Sequence, residues 1–421
     1  MPKMNRSVTP LTKKIAWLFS AVYFASYVMR INFAVMLVRI CSDMRLPKTA
    51  LAIVLTALTV TYGAGQIISG LLGDKVNPQS LLTVGLSAAI LCNVAMFFAQ
   101  TPPLMAIIWG INGMAHAMLW PPIVRMLSTH LSDDEYNYSV VRVSWGSSGA
   151  TLLLYLVCPL LLYVMPWRAV MLVCAAVGAL ILALWLAVGK RLLDAQSASE
   201  KREKRNTCEE FKPVPVPKYV YLPILLIALG IVSQGALRDG VTNWMPSYLA
   251  ESFGISEESA IIAAVIPALT SIVSFSFAAY VQRKWIKNEV LCAGAVFGAA
   301  ALFSGLLLLA NTALQPLLAP AVSLAFSVIA MALIIGAMHC VNLMLITIVP
   351  KRFVKSGKVS TYSGILNACT YIGAALSNYG FAALAEWRGW NATVLAWLAV
   401  CAMGLALCLA ATARWERFKK E

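Results

Sequence analysis

Apolar runs of roughly 20 residues recur along the chain, separated by short polar turns. At 1.5 Å of rise per residue, about 20 apolar positions cross a hydrocarbon core of about 30 Å. The pattern predicts twelve membrane helices, over 15–38, 49–72, 80–99, 103–128, 138–164, 168–189, 219–249, 258–281, 289–311, 317–348, 357–386 and 391–413. Breakers stand between them: Asp74, Asn77 and Pro78 in the turn 73–79, Pro102-Pro103 before the fourth span, and Pro166 between the fifth and sixth. The longest polar stretch, Lys190–Lys218, holds eight basic residues, five acids and the run Pro213-Val-Pro-Val-Pro217. Such a stretch cannot bury a core and reads as a linker. It divides the chain into 1–189 and 219–421, six spans on each side.

Composition removes the soluble alternatives. Of 421 residues, 60% are hydrophobic and 12% charged, against about 25% charged in globular domains. The expected class is therefore an all-α polytopic membrane protein. A net charge of +15 raises the question of nucleic acid, but 24 of the 33 Lys and Arg, counting Lys358 at the edge of the eleventh span, fall in the N-terminus, the even-numbered loops and the C-terminus. That is the positive-inside asymmetry; it places both termini and the linker in the cytoplasm and gives nucleic acid no role. The basic segment before Ile15 resembles the start of a signal peptide, yet the apolar run after it is too long and lacks a small-residue cleavage site. It is expected to remain as the first span.

Candidate chemistry is sparse. The ten cysteines are scattered, and His116, His130 and His339 are isolated, with no metal spacing, catalytic triad or phosphate-cradling loop. No enzyme, cofactor or metal is expected. The informative residues are two intramembrane arginines at matching places, Arg30 in span one and Arg238 in span seven. A guanidinium in hydrocarbon is costly and does not lose its proton, so it faces a cavity or a partner. With Arg125 and Arg142 near helix ends, Asp239 is the one carboxylate inside the apolar segments rather than at a segment end. The surplus positive charge calls for an anion that accepts bidentate hydrogen bonds, such as a phosphate ester. Tyr23, Tyr27 and Arg30 recur at i, i+4 and i+7 and share one helical face, while Gln234 and Arg238 stand one turn apart. Asp239 is rotated about 100° from Arg238 on a helix, so it is expected to pair with a neighbouring helix instead.

The organisation resembles that of the major facilitators, which implies two six-helix halves and a substrate site near the membrane midplane. Five local patterns narrow the resemblance. They are Tyr23-x-x-x-Tyr27-x-x-Arg30-x-Asn-Phe-Ala, Gly70-x-x-x-Asp74-Lys75-x-Asn77-Pro78, and Asn112-Gly113 with Trp120-Pro121-Pro122. The others are Arg238-x-Gly240-Val-x-x-Trp244-x-Pro246-x-Tyr248-Leu and Tyr362-Ser-Gly-Ile-Leu-Asn. Together they resemble the organophosphate:phosphate antiporter family, which includes glycerol-3-phosphate and hexose-phosphate transporters. The resemblance implies that Arg30 and Arg238 grip the substrate phosphoryl group and that Tyr23 and Tyr27 line the same pocket. Two positions depart from the glycerol-3-phosphate members: Gln66 replaces a second-span lysine, and Ser147–Gly149 replaces a fifth-span histidine.

Gln66, Asn367 and Tyr371 are candidates for a sugar-like moiety, or equally for bonding between helices. Asp74, near where Arg125 and Arg142 should emerge, is expected to pair with one of them as a gate. Gly63, Gly65, Gly70, Gly146 and Gly149 would let helices approach closely. The leading expectation is a monomeric transporter in a bacterial inner membrane, in contact with lipid, exchanging a phosphorylated small-molecule anion against inorganic phosphate. A membrane sugar-phosphate sensor and a proton symporter are the alternatives, the latter with Asp239 as the one available relay carboxylate.

Overall fold

The computed structural model describes residues 8–46, 48–196, 214–255, 263, 265–313 and 319–420. Most of the expected linker, residues 197–213, lies outside them. Contacts group the chain into two compact units, Met1–Pro215 with Pro350–Ile365, and Val216–Val349 with Leu366–Glu421. Residues 350–365, from the second half of the sequence, thus group with the first unit.

The first unit opens with α1 (Pro10–Val35), which starts where Thr9 accepts a bond from the Thr12 N–H and Pro10 needs no donor. After a short α2 (Leu37–Met44) come α3 (Lys48–Lys75) and α4 (Pro78–Phe98), the latter capped by Asn77. The fourth expected span is broken into α5 (Pro102–Ala117) and α6 (Trp120–His130) at Met118–Leu119. Pro121 and Pro122 cause the break, since neither can donate to the preceding helical turn. Then α7 (Asp133–Val164) begins with a Ser132–Glu135 capping box and three acids in its first turn, which suit the positive end of the helix dipole. Finally α8 (Trp167–Leu184) continues through a π turn at Trp185–Gly189.

Here α1 packs on α7 and α3 on α5. Gly146 of α7 lies against the Ser20 backbone with no room for a Cβ, whereas Gly149 has open space around it.

The second unit holds α9 (Tyr221–Phe253), α10 (Val265–Lys284), α11 (Glu289–Thr312) and α12 (Pro320–Asn342). The last helical run, α13 (Val359–Lys420), enters it from Leu366 onward and is divided at Gly389, whose φ of 78° only glycine adopts without strain. Among the described residues, ten helices are long and apolar enough to cross a membrane. Dividing α13 at Gly389 and counting the broken α5–α6 pair as one crossing gives the twelve expected spans.

Candidate functional site

Arg30 lies two turns along one face of α1 from Tyr23. Its guanidinium carbon sits 4.2 Å from the Tyr27 ring centroid and 4.8 Å from that of Tyr62 on α3. Tyr23 packs on Tyr27 and on Trp120 of α6, both at 5.1 Å between centroids. The three residues expected to share a face are therefore together, joined by Tyr62 and Trp120. Tyr62 was not among the sequence candidates. Its available signal was its place in span two, one turn before Gln66.

The opposite side of this α1 segment is held by a buried polar network. Asn93 on α4 donates to the Met29 carbonyl at 3.0 Å and accepts from Asn32 at 2.7 Å. Asn112 on α5 donates to the same Met29 oxygen at 3.2 Å. His116, one turn further on, has its two ring nitrogens 2.8 Å from the carbonyls of Ser26 and Asn112. All four side chains are buried. In hydrocarbon such bonds fix helix position, because no water competes for the partners. Of the carbonyls held, that of Ser26 precedes Tyr27 and that of Met29 precedes Arg30.

Gln66 is fully buried, and neither atom of its amide has a hydrogen-bond partner among the described residues. Ser69, Ser360 and Ser363 share that condition. Gln66 and Ser360 lie where α3 meets the start of α13: a Cβ on Gly70 would stand 2.8 Å from the Ser360 carbonyl, and the Gly364 position abuts the Gln66 carbonyl.

In the second unit, Gln234 is buried, with its amide nitrogen 3.2 Å from the Met338 carbonyl and its amide oxygen 3.5 Å from the Thr370 hydroxyl. It ties α9 to α12 and α13. Arg238 corrects the expectation for Asp239. Its Nε and Nη2 donate to Asp239 Oδ1 and Oδ2 at 2.6 and 3.0 Å, so the carboxylate pairs with its sequence neighbour. The wheel angle separates the two Cβ directions, but the long arginine side chain bends back across it. Asn367 is buried and Tyr371 half-buried on α13, one turn apart.

The expected gate is also rearranged. Asp74 accepts the backbone N–H groups of Ser360 and Thr361 at 2.9 and 2.7 Å, capping the first turn of α13. Arg125 instead donates to the carbonyls of Gly73 and Val76. Arg142 lies over Tyr138, 3.5 Å from its ring centroid, and near Trp145 at 4.8 Å. Orphan amides at a helix start, with the positive end of its dipole, draw the carboxylate as an arginine would. On the same unit, Lys351 pairs with Asp133 at 2.9 Å. Among the described residues there is no grouping of His, Cys, Asp or Glu able to hold a metal ion.

The family model described as Major Facilitator Superfamily matches residues 19–377. A glycerol-3-phosphate transporter of Bacillus subtilis (strain 168) is 24% identical over 408 residues, 91% of this chain and 88% of its own length. A probable hexose phosphate transport protein of Chlamydia muridarum is 32% identical over 133 residues, which is 32% of this chain and 27% of the relative. The membrane sensor protein UhpC of Escherichia coli (strain K12) is 24% identical over 257 residues, 57% of this chain and 56% of its own. These relatives are transporters and a sensor, not enzymes.

Proposed function

The chain belongs to the Major Facilitator Superfamily, and on that premise we propose that it exchanges phosphorylated organic anions against inorganic phosphate by alternating access. The observation that carries the reading is Arg30 on a membrane helix, held over the rings of Tyr27 and Tyr62. A tyrosine face attracts a cation by about 0.5–2 kcal/mol or more, and a phosphoryl dianion can in addition bind the guanidinium through two oxygens at once. Tyr23, Tyr27 and Tyr62 add hydroxyl donors on apolar bodies. Arg238 is a second guanidinium fork, held in this structure by Asp239. Gln66, Gln234, Asn367 and Tyr371 are assigned to the organic part of the substrate or to the frame around it. The whole-length similarity to a glycerol-3-phosphate transporter supports a small phosphate ester as that substrate. The charge asymmetry and the bacterial relatives support a bacterial inner membrane with both termini cytoplasmic.

The test is the guanidinium fork, which lysine cannot reproduce although it keeps the charge. Arg30→Lys and Arg238→Lys are each expected to weaken binding of glycerol 3-phosphate roughly tenfold or more, the value of one charge-assisted hydrogen bond. Thermal-shift titration measures it, since a ligand of the folded state raises apparent stability. Parental affinity in both lysine variants would remove the clamp. A sensor reading is favoured by the match to UhpC. Proteoliposomes separate the two, because a sensor binds the ester without moving it.

A further inference from the structure

Arg238 already holds an anion, one supplied by the chain itself. The two contacts to Asp239, at 2.6 and 3.0 Å, run in parallel from Nε and Nη2 to the two carboxylate oxygens. This is the fork-on-fork arrangement by which arginine recognises phosphate. The pair is largely sheltered, with side-chain exposures of 19% and 28%. His339 on α12 lies within electrostatic reach of both groups. An external ligand gripped through Nε and Nη2 must therefore displace Asp239, so binding at Arg238 is an exchange of one anion for another.

We infer that Asp239 is an internal competitor for the substrate at Arg238, and that it sets a threshold of grip on the fork that phosphoryl groups pass and carboxylates do not. The inference rests on the assignment of Arg238 to anion recognition made above. A tethered carboxylate competes at a high effective concentration, because its neighbour on the helix never leaves. An incoming carboxylate offers the fork nothing that Asp239 does not, and it must also surrender its own freedom to bind. A phosphoryl dianion brings a larger charge and three strong acceptor oxygens, so it can hold Arg238 and reach other donors at once. The competitor lowers the affinity of every anion. It suppresses binding of those whose grip on the fork is no better than its own.

The experiment uses the full-length protein, purified, with glycerol 3-phosphate, inorganic phosphate and glycerate, which carries a carboxylate in place of the phosphate. The parent chain is expected to bind the two phosphate species and not glycerate. Asp239→Asn removes the competing charge with little change in volume. It is expected to bind glycerol 3-phosphate about tenfold tighter or more, the equivalent of one charge-assisted pair, and to bind glycerate measurably. The empty variant should melt lower than the parent, because Arg238 has lost its counter-charge, and should gain a larger shift from ligand. Asp239→Glu keeps the charge on a longer arm, so a smaller gain is expected from it. This guards against failure of the asparagine variant to fold. Cooperatively melting variants whose ester affinity is unchanged or weaker overturn the competition. Glycerate binding to the parent as tightly as glycerol 3-phosphate overturns the selectivity. If Arg238→Lys retains parental affinity, the assignment of Arg238 itself fails, and the competition falls with it. Lost affinity in Arg238→Lys without a gain in the Asp239 variants removes only the competition.

Discussion

Asn93 is a buried amide that holds the turn of α1 leading into Arg30. It joins α4 to α1 through the Met29 carbonyl and gives Asn32 its acceptor, and Met29 is the residue before Arg30. Asn93→Leu fills the space but leaves the Asn32 amide nitrogen only the weak Met171 sulfur acceptor, and leaves the Met29 carbonyl only the longer side-chain bond from Asn112. Stability should fall by about 1–3 kcal/mol, the cost of buried polar groups losing partners in a membrane bundle, read as a lowered melting temperature in detergent. Affinity for glycerol 3-phosphate should fall with it, as the Arg30 turn loosens. Unchanged affinity in a destabilised variant would make the network structural alone. At this scale, sequence reasoning resolves what one helix determines. The spacing of Tyr23, Tyr27 and Arg30 places them on one face because 3.6 residues per turn requires it. It does not find Tyr62, which reaches Arg30 from another helix. It misplaces the partner of Asp239, because a wheel gives the direction of Cβ and not the end of a flexible side chain. In a site with few carboxylates, the nearest one captures the cation.

Helices are legible where local chemistry marks their ends, and less so where backbone amides serve as ligands. The Asn77-Pro78 start of α4 and the Ser132–Glu135 box of α7 could be read directly from residue order. The break between α5 and α6 is written in Pro121-Pro122, yet the apolar run continues through it and hides it from a hydropathy pattern. Asp74 is the harder case. Its partners are two N–H groups at residues 360 and 361, which carry no side-chain signature. Asp74→Asn keeps an acceptor for one amide and loses the charge that favours the helix start, a change of about 0.3–2 kcal/mol. If the cap serves the transport cycle, exchange in proteoliposomes should slow severalfold while the affinity for glycerol 3-phosphate stays near that of the parent. Equal loss of binding and exchange would assign Asp74 to the frame of the site.

For the whole molecule, the spans follow from hydropathy, and the charged stretch Lys190–Lys218 divides the sequence into two halves. Contacts draw residues 350–365 to the first unit, a long-range grouping that no local pattern encodes. What the molecule does with its charges bears on the driving force. Arg30 stays ionised through any cycle, and in a loaded carrier it shares that charge with a dianion. A ligand shifts a conformational equilibrium by its differential affinity for the states, so the loaded form is the one expected to reorient readily. Asp239 tempers this by neutralising Arg238 in the empty protein. Proteoliposomes filled with phosphate should therefore take up labelled glycerol 3-phosphate rapidly, and unfilled vesicles slowly but measurably. Asp239→Asn should widen that contrast by depriving the empty carrier of its internal anion. An imposed pH gradient should alter the rate only modestly, through phosphate ionisation near its second pKa of about 6. Rapid uptake into unfilled vesicles that depends strictly on an inward proton gradient would reject exchange and make Asp239 the coupling carboxylate.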